Sequence, residues 1–85
     1  MNVLIVLTKY IPESYELYDV DSSNIKMLGY NENQKALFAV FHNDAVYKYY
    51  NVNRKVLNVL LEAESVGRQF NKIKKLFEVV KLNEN

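Results

Sequence analysis

The 85-residue sequence contains no cysteine and no tryptophan, one histidine, one proline and two glycines. Each shortage excludes something. Without cysteine there are no disulfides and no thiolate metal ligands. A single histidine, His42, makes neither a histidine-based metal site nor a Ser-His-Asp triad an expectation. With so little glycine and proline there is no linker, and the length allows one hydrophobic core. The apolar run at residues 3–7 is only five residues long, with no basic residue before it. A secretory leader needs a basic segment and about 7–15 apolar residues, and a membrane span about 20. The run is therefore expected to be a buried strand, with no leader and no membrane segment.

The remaining composition is that of a small globular domain, 49% hydrophobic and 25% charged. A chain of this size buries roughly 60–65% of the surface its unfolded form exposes, so a homo-oligomer is expected as added support. Asn, Lys, Tyr, Phe and Ile supply 35 of the 85 residues, and lysine outnumbers arginine nine to two. These residues have AT-rich codons, which points to a bacterial or phage gene and a cytoplasmic protein. The net charge of +1 hides an asymmetry. Residues 1–44 hold three lysines and six acids (−3), whereas residues 45–85 hold eight basic residues and four acids (+4). Such halves can pair head to tail, or the basic half can face an anion.

The apolar pattern predicts strands first and helices afterwards. Residues 2–8 form the first strand candidate, and Pro12 marks a break. A weaker strand is predicted over 15–20, and 21–24 is rich in residues that make turns. Clearer strands are predicted over 25–30, 35–41 and 45–50, joined by polar turns, as an antiparallel meander. His42-Asn43-Asp44 is the last of those turns, where Asn and Asp tolerate positive φ.

The period then changes. Val56, Leu57, Leu60 and Leu61 make a helical stripe behind the cap residue Asn53. Behind Ser65 a second stripe runs through Val66, Phe70, Ile73, Phe77 and Val80, and residues 82–85 should fray. The fold class is thus α+β: a small antiparallel meander followed by two C-terminal helices packed on one face. It is one domain, with 1–19 as an amino-terminal strand extension and 20–80 as the core.

Several short features recur in order. Ser22-Ser23 precedes a strand, Gly29-Tyr30 lies within it, and an apolar strand follows at 37–41. Tyr47-Lys48-Tyr49 and Val52 come next, then Ala63, Ser65, Gly67, Phe70, Asn71 and Ile73. This order resembles the KTSC domain family, small modules named for the carboxyl end of some lysyl-tRNA synthetases and also found alone. The resemblance spans residues 20–74, about two thirds of the chain. Two departures stand out: Asn43-Asp44 where the family favours a turn glycine, and Asn53 where it favours proline. Both replacements suit a turn and a helix cap. The resemblance implies a nucleic-acid-binding module, by association with tRNA synthetases.

The residues themselves suggest a ligand site. A glycine inside a helix costs about 1 kcal/mol relative to alanine, so Gly67 needs a reason. In one reading, Ser65 leaves the amides of Val66, Gly67 and Arg68 at a helix start, where anions are favoured. Arg68 would then grip phosphate oxygens. Lys72 and Lys75 would extend the basic face, and Asn71 would bond a base edge or ribose hydroxyl. In the other reading Ser65 only caps, Gly67 lets the two helices cross closely, and the lysines are solvated. Tyr47 and Tyr49 share one strand face, with Lys48 and Tyr50 on the other. Either face would stack a base, with Arg54 completing the site, or Tyr47 and Tyr49 would simply be core.

The expected function is a small non-catalytic protein with no cofactor and no metal, binding a nucleotide or short RNA. Its near-neutral charge argues against long nucleic acid and favours a cyclic or linear oligonucleotide. A phage protein of this kind would sequester a nucleotide signal of host defence. The rival expectation is a protein-interaction or oligomer-assembly module without a nucleotide ligand.

Overall fold

The computed structural model describes residues 11, 12 and 14–83; the strand expected at 2–8 lies outside them. Five strands follow one another across a single sheet in chain order, each antiparallel to the next. They are β1 (Glu16–Asp19), β2 (Ile25–Asn31), β3 (Ala36–Phe41), β4 (Val46–Tyr49) and β5 (Val79–Lys81). Between β4 and β5 lie α1 (Arg54–Glu62), α2 (Val66–Ile73) and a 3-10 turn, Lys74–Leu76. The fold is α+β, a meander covered on one face by two helices.

The alternation of the strands builds two cores. Leu28 and Tyr30 of β2, Leu37 and Ala39 of β3, and Tyr49 of β4 meet Leu57 and Leu60 of α1 and Phe70 of α2. Fully burying one such leucine is worth about 1.5–3 kcal/mol, so the two helical stripes supply most of the reason to dock. On the opposite face Phe38, Val40 and Val46 pack with Ile11 and Tyr15. The Tyr15 and Phe38 rings meet edge to face at 4.8 Å. A register shift between Ile25 and Met27 places Ile25 on the helix side together with Leu28. Without that bulge, residues three apart would point to opposite faces.

Local chemistry fixes the connections. Asp44 adopts φ 68° in the β3–β4 turn, the left-handed conformation that glycine takes without strain and Asp tolerates. The Asn43 carboxamide accepts from the Ala45 amide at 3.0 Å and closes the same turn. Asn53 caps α1 by accepting from the Val56 amide, and Ser65 caps α2 by accepting from the Arg68 amide. The buried Tyr30 hydroxyl donates to the Val52 carbonyl at 2.7 Å and ties β2 to the segment entering α1.

The second helix is shorter than its apolar period predicts. It ends at Ile73, and Phe77 and Val80 do not continue its stripe. The chain tightens into the 3-10 turn, the Tyr50 amide donates to the Glu78 carbonyl, and Val79–Lys81 completes a ladder on β4. The open edge of β4 offers hydrogen bonds to a β-branched pair, and that tertiary pairing overrides the local helical spacing.

Candidate functional site

The loop before β2 packs directly on the start of α2. Ser22 Oγ accepts from the amides of Asn24 and Ile25 and donates to Asn24 Oδ1 at 2.8 Å. His42 pins the same loop twice. Its amide donates to the Asn24 carbonyl, and its Nε2 lies 2.9 Å from the Ser22 carbonyl. His42 thus has a structural task. A Cβ on Gly67 would stand 2.6 Å from Asn24 Oδ1 and 3.0 Å from Ser22 Oγ. The close approach at Gly67 is to this loop, not to the other helix, and this corrects the expectation of a tight helix crossing.

Ser65, Gly67, Arg68 and Asn71 together line a cleft of about 370 Å³. Asp21 and Glu64 line it too. Two carboxylates offset one guanidinium there, so the cleft is less favourable to a phosphate than the helix start alone suggests. Asn24 also lines it, with its carboxamide oxygen against Gly67. Lys72 is exposed in the last turn of α2, where a cation complements the helix dipole, and it borders none of the clefts described here.

The tyrosines divide between two faces. Tyr49 is 6% exposed and its ring meets Phe70 edge to face at 5.2 Å. Burial pushes its phenol up to about 12. Tyr47 is the partly exposed member of the pair, so the core role falls on Tyr49 more than on Tyr47. Tyr50 faces the other side, with Lys48 Nζ 5.0 Å from its ring centroid. Arg54 belongs to neither group. Its Nε and Nη2 bond Glu32 and Glu16 at 2.7 and 2.8 Å, and its guanidinium lies 5.1 Å from the Tyr30 ring centroid. It clamps β1 and the β2–β3 turn to α1.

Tyr47 lines a second cleft, of about 660 Å³, with Phe41, Phe77, Lys74 and Lys75. The Phe41 and Tyr47 rings meet edge to face at 5.5 Å. None of the described residues lining this cleft is acidic. A small intermediate cleft shares Ser23 and Asn24 with the polar cleft, and Phe41 and Asn43 with the aromatic one. The helix-start and tyrosine parts of the expected site therefore line separate clefts, with the intermediate cleft sharing residues with both. Sequence reasoning read Phe41 as sheet and Phe77 as helical stripe, and gave Lys74 no reading. The adjacent Lys74-Lys75 pair was the visible signal.

The architecture, a meander closed by two helices with the Ser22–Asn24 turn seated on a glycine, defines a class of small α+β modules. The KTSC domain matches residues 21–77, and the chain belongs to that family. A crystallised KTSC domain protein from Yersinia pestis is similar in structure. It shares 28% identity over 81% of this chain and 99% of its own, with a TM-score of 0.76. A search of the curated proteins finds no match. Among the described residues, no helix is long and apolar enough to cross a membrane.

Proposed function

We propose that this KTSC domain is a non-catalytic binder of a nucleotide or short oligonucleotide, held in the cleft around Tyr47. The observation that carries the reading is the lining of that cleft: aromatic rings bordered by Lys74 and Lys75, with no acid among the described lining residues. Its volume, about 660 Å³, lies in the range of small-molecule sites. A base stacks against Tyr47, Phe41 or Phe77, and base stacking on an aromatic is worth about 1–3 kcal/mol. The lysines hold the phosphate. Ser65, Gly67, Arg68 and Asn71 line the separate, polar cleft, which suits hydroxyls and base edges more than phosphate. A phage-encoded protein of this design would act by holding a nucleotide signal away from its receptor.

Calorimetric titration with mononucleotides, cyclic di- and trinucleotides and short RNA tests the reading, each at low and physiological salt. Binding is expected for at least one of them. It should weaken about tenfold or more in a Lys74→Ala, Lys75→Ala double variant, whose side chains lie at the surface. Loss of all binding on raising salt would identify recognition of an RNA backbone through counterion release. Absence of binding by every nucleotide at millimolar concentration would overturn the proposal.

A further inference from the structure

Five large apolar side chains stand exposed among the described residues: Leu17, Val59, Leu76, Val79 and Val80. Val59 and Leu76 border one groove, of about 260 Å³, between α1 and the 3-10 turn. Val56, Ile73 and Phe77 also line it, and Lys55 stands on its rim. Leu76 is 77% exposed, so most of its side chain adds nothing to the chain's own core. None of the described residues lining the groove is acidic. An apolar groove with such a border fits an apolar side chain flanked by carboxylates.

The chain carries that complement on itself. Leu17 is 46% exposed on β1, an edge strand of the sheet among the described residues. Asp19 and Asp21, both exposed, follow it closely. Leu17 lies in the half of net charge −3, the groove in the half of +4. Two grooves meeting each other would bring the Lys55 rims of both copies together, which costs energy that the acidic edge avoids.

We propose that this chain associates head to tail, the Leu17 edge of one copy entering the Val59–Leu76 groove of the next. The contact is heterologous, so it closes as a ring or runs on as a filament according to the rotation between copies. The groove shares Phe77 with the nucleotide cleft, but Leu17, Lys55 and Leu76 do not line that cleft, and the proposal does not rest on that reading.

Sedimentation velocity over a range of protein concentrations tests it, at low and physiological salt. The mean mass is expected to rise with concentration, less so at the higher salt. Leu76→Asp and Leu17→Lys should each weaken association about tenfold or more, as should the rim variant Lys55→Glu, with circular dichroism reporting a folded chain. The decisive sample is an equimolar mixture of the first two variants. The Leu76→Asp copy keeps a sound acidic edge and the Leu17→Lys copy a sound groove, so the mixture should form a complex that stops at two chains. A wild-type monomer under all conditions would overturn the proposal. So would Leu17→Lys chains that associate as well as wild type, which would mean pairing of groove with groove, or a mixture that remains monomeric.

Discussion

The Asn24 carboxamide oxygen stands 2.6 Å from the position a Cβ would take on Gly67. Ser22 holds that carboxamide in place, and His42 holds the loop that carries both. In an open helix, alanine at this position would gain about 1 kcal/mol over glycine. Here the sign reverses. Gly67→Ala is expected to destabilise the fold by about 1–3 kcal/mol through overpacking, measured by urea denaturation. In an Asn24→Ala background the same change should cost clearly less, because the clashing atoms are gone. Equal costs in both backgrounds would show that the loop is not what requires the glycine.

Tyr30 has no exposed surface, and its hydroxyl bonds the Val52 carbonyl. Tyr30→Phe keeps the ring and removes the donor, leaving a buried carbonyl without that partner. A loss of about 1–3 kcal/mol is expected, seen as a lower denaturation midpoint with an unchanged m-value. A midpoint equal to wild type would mean that another donor reaches Val52.

Lys26 Nζ lies 2.9 Å from Asp44 Oδ1, and this hydrogen bond holds the Asp44 carboxyl below the usual carboxylate range. A carboxyl whose folded-state value is depressed binds fewer protons in the folded chain than in the unfolded one. Its stabilisation is present above the ordinary value, about 3.9, and is lost as pH falls through the lower folded value. Thermal melts should therefore show a falling midpoint below about pH 4. Asp44→Asn tolerates the left-handed turn and should remove part of that dependence. An unchanged acid profile in the variant would assign the dependence to other carboxyls.

At the alkaline end the argument runs in the opposite direction. Burial pushes the Tyr49 phenol up to about 12, and Tyr15 and Tyr30 are raised for the same reason. The folded chain keeps these protons where the unfolded chain has lost them. Their contribution is complete below about pH 10, the ordinary tyrosine value, and declines as pH rises toward the folded values. Ultraviolet titration should show some of the seven tyrosines ionising late, together with unfolding. A single smooth step near pH 10 would contradict the burial of these phenols.

Much of the architecture was legible because short-range rules agree with one another along the chain. Asn53 and Ser65 cap as their side chains require, and Asp44 takes the positive φ that its turn demands. The strands over 25–31 and 36–41 show their two-faced burial in their apolar content. The candidate site was legible only in parts. Ser65, Gly67, Arg68 and Asn71 share a cleft because one helix carries them all. The Asp21 carboxylate reaches that cleft through the loop packed on Gly67, and no spacing rule reports such a neighbour, whereas Glu64 stands beside Ser65 in the chain.

Local sequence by itself determined the caps, the turns, the meander and the two helical stripes, since each depends on residues within a few positions. Tertiary structure alone decided the rest. Phe77 and Val80 keep a helical spacing, yet the open edge of β4 drew Val79–Lys81 into the sheet. That pairing ends α2 at Ile73 and turns Lys74, Lys75 and Phe77 toward Tyr47. Arg54 likewise reads as a free cation until the fold brings Glu16 and Glu32 to its two sides, 38 and 22 residues away. Periodicity describes which faces a segment can bury, whereas the choice among them belongs to whichever distant partner satisfies its backbone and its charge.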